Sequence, residues 1–337
     1  MRRHYLFLIP LFMSVLFAES GGSGTAHNDK GFILTANKGS RAMGIIDPVS
    51  MKQIAEIPED GVTGHEVIAS PDGKFAYVPI YGDSGVGKAG TDGRNMIVVD
   101  LETRKVSGNV DFGKGIRPHC PVFDAKRHLL YVSTELDNTI SIIDPKTLKI
   151  IGTVPTGQAE SHMFALSHGG HLGYTANVGP GTVSVLDMDA HKTVAIIPIS
   201  KHTQRISVSP DDSMVFTADQ TKPQLAVIDT KTNAVKNWVT LDGLGYGTAP
   251  TSDGKFLIVA VPSAHQVAVV DLAEMKVIHT IKVPASPQAV AIRPDNKMAY
   301  VSCDSSSQVA AVNLSDWSVS LIDAGKGTDG ITWVSSK

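Results

Sequence analysis

An all-β chain, folded as a seven-bladed β-propeller of four-stranded antiparallel blades, is the architecture this sequence predicts. Three observations predict it. A short hydrophobic strand ending in Asp or Asn recurs seven times, the recurrence settles to a spacing of 42 residues, and the incomplete first and last copies complement each other.

The chain has 337 residues, enough for two ordinary domains or one large all-β domain. Its first residues stand apart. Arg2, Arg3 and His4 precede the apolar run "YLFLIPLFMSVLFA", which ends at Ala18 and is short for a membrane span. Ala18 and Ser20 supply the small residues of a cleavage site. Residues 1–20 therefore read as a secretory signal peptide, which implies export to a periplasm or the exterior and no membrane attachment after cleavage. Residues 21–30, "GGSGTAHNDK", read as a flexible lead-in, and 31–337 as one propeller domain.

The repeated strand ends at Asp47, Asp100, Asp144, Asp187, Asp229, Asp271 and Asn313, at spacings of 53, 44, 43, 42, 42 and 42. Before each later copy comes an alternating strand, a Pro-Asp-Gly-type turn and a second strand, as in "HEVIASPDGKFAYV" from His65. That pattern means hairpins throughout, with four strands, A to D, in each unit. No segment carries an amphipathic-helix period. The first copy, "FILTANKGSRAMGIID", lacks strand A, and the terminal "GTDGITWV" is a strand A with nothing after it. Placing the last strand in the first blade closes the ring and leaves few open sheet edges.

The stretch "YGDSGVGKAG", Tyr81–Gly90, fits both G-x-x-x-x-G-K and G-x-G-x-x-G. A phosphate-binding loop must run from a strand into a helix, whose N-terminus receives the phosphates. Here Gly82–Gly93 falls between strands B and C of the second blade, and Ala89 stands where a Mg²⁺-binding Ser or Thr would be. No nucleotide is expected. The loop is read as a binding loop or partial lid. The formal charge of −3 shows no basic footprint for nucleic acid.

Strand A lines the central channel, and aligning the units places one residue of each at its mouth: His65, His119, His162, Gln204, Tyr246, Gln288 and Asp329. Three consecutive blades thus supply histidine. Converging imidazoles suit Zn, Cu or Fe, so His65, His119 and His162 are the candidate metal ligands. Glu160, two residues before His162, is a candidate base, and Tyr246 and Asp329 candidate substrate-orienting groups. The alternatives are histidines that serve structure alone and metal-free acid–base chemistry. Glu66, Cys120, Met163 and Arg205 follow the mouth positions and, by strand alternation, should point away from the channel. Arg117 and His202 precede it by two, and Glu135, Asn177 and Asp219 lie in B–C loops on the same face. Cys120 and Cys303, in blades 3 and 7, are too far apart to pair.

The units resemble the YVTN-type propeller repeat. "YVSTELDNTISIIDPKTLKIIGTVPTG", Tyr131–Gly157, is close to that family's consensus, and the likeness extends over 31–337. The resemblance implies an exported seven-bladed propeller, whose relatives include surface-layer and periplasmic proteins, lactonase-type enzymes and propellers that carry metal or haem. "RPHCPVF" with "YVSTELDNT" is similar to a lactonase blade, with Arg117, His119 and Glu135 in place. The expected function is binding of a metal ion or small ligand at the channel mouth, with a metal-dependent oxidoreductase or lactonase-type hydrolase as the enzyme readings. A non-catalytic scaffold that takes a partner protein is the alternative. A monomer is expected.

Overall fold

A computed structural model describes residues 30–59 and 61–336. The expected signal peptide, 1–20, and all but the last residue of the lead-in lie outside the described residues. Everything regular in the described part is β-strand, apart from three single turns of 3₁₀ helix, at Glu135–Asp137, Pro262–Ala264 and Asp304–Ser306. No described helix is long and apolar enough to cross a membrane.

The strands form five four-stranded antiparallel sheets and one of eight strands. The eight-stranded sheet is two four-stranded sets joined through a single parallel pair, Asp323 opposite Lys52. Strand Gly31–Asn37 pairs along its length with Thr328–Ser335, Gly31 facing Ser335. The C-terminal strand is therefore the missing strand of the first unit.

The physical basis of the seven-fold repeat is one turn used seven times. The side chain ending each third strand accepts a backbone N–H two residues on, or three at Asp100. Examples are Asp47 from Val49 at 2.9 Å, Asp144 from Lys146 at 2.9 Å, Asp271 from Ala273 at 2.8 Å and Asn313 from Ser315 at 2.9 Å. Four residues after each Asp or Asn the chain turns left-handed, at Met51, Arg104, Leu148, His191, Asn233, Met275 and Trp317. Asp and Asn suit this position because their short side chains cap their own turn.

Apolar residues of neighbouring units interlock between the sheets. One cluster runs from Tyr131 through Tyr174 and Phe164 to Ile206 and Val215, spanning three units. First strands of adjacent units also touch. Ser161–Leu166 packs on Pro118–Asp124 to one side and on Thr203–Val208 to the other, and Pro287–Ile292 packs on Thr328–Ser335. Both cysteines are free and buried, in separate clusters.

Candidate functional site

The mouth of the channel is built where the first strands begin, and those beginnings are irregular. In the third unit His119 and Cys120 together oppose Ser133, between the pairs Pro118–Thr134 and Pro121–Val132. In the fourth, His162 is the extra residue between Ser161–Asn177 and Met163–Ala176. In the fifth the bulge comes one residue later, and Arg205 is the extra residue, with φ +58°. A bulge sets two residues against one and re-aims a side chain. Simple alternation therefore fails here. Arg205 and Glu66, expected to point away from the channel, instead bond each other, and Arg205 also bonds Asp329. Glu66 escapes the alternation for a second reason: regular pairing of its unit's first strand starts only at Ile68. Cys120 and Met163 behave as expected and enter the apolar packing between units.

The three histidines do gather. The ring centroids of His65 and His119 lie 5.7 Å apart and those of His119 and His162 3.6 Å apart, with Tyr81 within 4.7, 5.0 and 5.4 Å of the three in turn. Glu135, in the 3₁₀ turn after strand Leu129–Thr134, organises this group. Its Oε2 accepts from Tyr81 at 2.7 Å and lies 2.9 Å from His162 Nδ1, while Oε1 faces the Arg117 guanidinium at 3.4 Å. Burial works against its charge, but His162, Tyr81 and Arg117 outweigh it and hold the carboxyl below its usual range. In the neutral tautomer that gives Nδ1–H to Glu135, His162 keeps Nε2 as an acceptor.

His119 is the exception. Only 2% exposed, its Nδ1 is buried without a hydrogen-bond partner. Burial, then the neighbouring imidazoles, push its pKa far down, and burial takes His65 to about 4. Both rings stay neutral at pH 7.

Arg117 ties the glycine loop to this group. Its Nε bonds Asp92 at 2.7 Å, Nη2 bonds the Lys88 carbonyl at 2.6 Å and Nη1 the Gly85 carbonyl at 3.3 Å. The loop joins two antiparallel strands, Phe75–Gly82 and Asp92–Asp100, as the sequence implied. Its turn at Gly87, φ +65°, lies against Glu160, where an added Cβ would come within 2.8 Å of Oε1. The loop therefore reaches from the second unit to the fourth, over the histidine sector.

Across the mouth lies a second group. Arg205 donates to Glu66 and, at 3.0 Å, to Asp329, with its guanidinium 5.0 Å from the Tyr246 ring centroid. Lys38 bonds Asp329 at 3.0 Å and Asp304 at 3.2 Å. Burial opposes ionisation of Asp329, but Arg205 and Lys38 hold it below the usual carboxylate range. Glu66 shares the same guanidinium, and burial pushes it up to about 7, with Arg205 pulling the other way.

The expected site residues thus fall into two sets. His65, His119 and His162 come together, joined by Glu135, Arg117 and Tyr81. Asp329 and Tyr246 are engaged with Arg205 instead of standing free. Glu160 sits under the loop, half-buried. Tyr81, Asp92 and Lys38 had no mark in the sequence beyond their places at loop edges.

For a metal ion, the imidazole lone pairs must converge at about 2.0–2.1 Å from one point. The rings of His119 and His162 instead lie face to face, their planes 30° apart, which sends their lone pairs side by side. Among the described residues no group of three or more His, Cys, Asp or Glu side chains is placed to hold a metal ion.

Comparison with known proteins agrees with this architecture. In Bos taurus, NHL repeat-containing protein 2 is 28% identical over an alignment of 122 residues, taking in 31% of this chain and 16% of that protein. The chain thus corresponds to a small part of that relative. Hydrazine synthase from Kuenenia stuttgartiensis superposes with a TM-score of 0.66 at 17% identity, over 91% of this chain and 99% of that one. A functionally unknown protein from Desulfotomaculum acetoxidans DSM 771 gives 0.74 at 14%, over 91% and 100%. At such identities the two structures speak for the fold alone. Residues 49–236, more than half of the chain, match the model described as lactonase, 7-bladed beta-propeller, and by that match the chain belongs to this lactonase propeller family.

Proposed function

We propose that this protein is an exported propeller that binds a small ligand at the mouth of a closed seven-bladed ring, with His65, His119 and His162 as its recognition groups. Closure is supported by the pairing of the first and last strands and by the two four-stranded halves of the eight-stranded sheet. Export is supported by the character of residues 1–20, and the likeness of the units to the YVTN-type repeat agrees with it.

The observation that carries the reading is the buried, unpartnered Nδ1 of His119. A buried polar atom without a partner costs free energy, and such atoms mark places where a ligand or water completes the bonding. Neutral imidazoles can donate or accept there. A binding titration of wild type against His119→Ala and His162→Ala tests it. Both variants should keep their fold and lose ligand. A transition metal, the occupant expected from the sequence, enters the same titration as Zn²⁺, Cu²⁺ and Fe²⁺. It requires His119 to turn out of its stack. Stoichiometric uptake by wild type, lost in the triple histidine variant, would establish it.

One observation favours a second reading, hydrolysis of a cyclic ester. Arg117, Glu135 and His162 form one hydrogen-bonded group with His119 stacked on it, in a chain of the lactonase propeller family. His162 Nε2, with Nδ1 held by a carboxylate, is suited to take a proton from water. A panel of lactones decides the matter. Hydrolysis that disappears in His162→Ala supports the reading, and no turnover of any lactone by wild type ends it.

A further inference from the structure

We propose that the ligand of the histidine mouth is a cation, a small molecule bearing a protonated amine, and that Glu160 receives its charge. The inference rests on the ligand-binding reading above and names the ligand's chemical class.

Two independent observations lead to it. The first is the state of the charges. Apart from Lys88, which is exposed on the loop, every cation at the mouth is spoken for. Arg117 is held by Asp92, Glu135 and two loop carbonyls, Arg205 by Glu66 and Asp329, and Lys38 by Asp329 and Asp304. The carboxylates outnumber these cations before Glu160 is counted. Glu160 then stands beyond them. Among the described residues its carboxylate has no hydrogen bond or ion pair, although Lys88 is one residue from the glycine that covers it. Two glycines close on that carboxylate. A Cβ at Gly87 would meet Oε1 at 2.8 Å, and one at Gly179 would meet Oε2 at 2.5 Å. These glycines leave the carboxylate no side-chain partner from either direction.

The second observation is the unpartnered Nδ1 of His119, a residue 98% buried. It lies beside His162, which is two residues along the chain from Glu160 and whose Nε2 is an acceptor in the neutral tautomer that turns Nδ1–H to Glu135. The groups that remain to meet a ligand are therefore a carboxylate, an acceptor imidazole and an imidazole that can take either role. No unused cationic donor is among them. An ammonium offers three donors, a positive charge and no acceptor, and so complements this set. A carboxylate or phosphate would meet repulsion from Glu160 and find no free cation beneath the loop, only the exposed Lys88 above it.

Ligand-observed NMR titration with three probes of one size and three charges tests the idea: butylammonium, butanol and butyrate at pH 7, with wild type, Glu160→Gln, and His119→Ala/His162→Ala. Butylammonium should bind best to wild type. Glu160→Gln should weaken butylammonium by about three- to tenfold and leave butanol unchanged. Selectivity in wild type is read without any variant, so an unstable variant does not shield the proposal. Butyrate or butanol binding as well as butylammonium overturns the charge assignment while leaving the mouth as the site. Butylammonium binding that survives loss of both histidines, or no binding by any probe, overturns the mouth reading as well.

Discussion

The two halves of the channel mouth are made from the same kinds of side chain and are held in opposite ways. On one side, Glu66, Arg205, Asp329 and Lys38 satisfy one another's charges. On the other, Tyr81, Glu135, His162 and Arg117 form a network that stops short, with His119 Nδ1 unpartnered and the Glu160 carboxylate unpaired among the described residues. Closed networks of this sort stabilise a particular arrangement, because removing any member strands its partners. An open one holds its members in position and keeps something for a visitor. On the proposed function, the ion-paired half serves structure and the imidazole half is the working surface.

That division can be broken experimentally. The largest effect should come from deleting residues 328–337, which removes both Asp329 and the partner of strand Gly31–Asn37. The whole domain should lose its cooperative unfolding transition; a melting temperature equal to that of the full chain would refute closure through the last strand. Next comes Arg205→Ala. It leaves Glu66 and Asp329 buried without their shared cation and should cost about 3–5 kcal/mol in a urea titration. Glu135→Gln should cost less stability, about 1–3 kcal/mol. It should nonetheless abolish ligand binding, because His162 is no longer oriented. If Arg205→Ala proved the milder of the two in stability, the division of labour would be wrong.

Acid sharpens the contrast, because His65 on one side and Glu66 on the other titrate in opposite senses. Burial lowers His65 to about 4, below its unfolded value near 6.5, so the unfolded chain binds more protons between those values. Stability from His65 is present above pH 6.5 and is lost as pH falls toward 4. Glu66 is raised to about 7 from 4.5, so its contribution runs the other way, and stability falls as pH rises from 4.5 to 7. Between pH 4.5 and 6.5 the two oppose each other. Glu66→Gln should therefore steepen the acid-side loss in a series of urea midpoints, and an unchanged slope would show that Glu66 does not titrate there. The smallest effect is a control. His171→Ala, on the surface with Asp189, should change stability by less than about 0.5 kcal/mol and binding not at all.

The fold was legible because its signal is local and repeated. The Asp or Asn ending each third strand caps its own turn, so seven identical turns leave seven identical marks. The glycine loop was legible as an insertion by the same spacing. The histidines were legible as a set because three units carry the same residue at the same offset. The geometry at the mouth was not, and the reason is the bulges. A one-residue difference in where a strand bulges decides whether Gln204 or Arg205 faces the channel, and nothing in "HTQRISV" marks the place. Tyr81 and Lys38 were invisible for another reason. Each reaches its partners across units, and Tyr81 bonds a carboxylate 54 positions away.

The pairing of Gly31 with Ser335 also sets an order of events in the life of the chain. Each middle unit is assembled from consecutive segments and can form as it leaves the ribosome. The first unit cannot. The open edge of its strand Gly31–Asn37 waits until the last strand has been synthesised, and through that interval it is a free template for any other strand. The first sheet thus cannot be complete before Ser335 has been made, and between making Gly31 and making Ser335 that edge is open to mispairing.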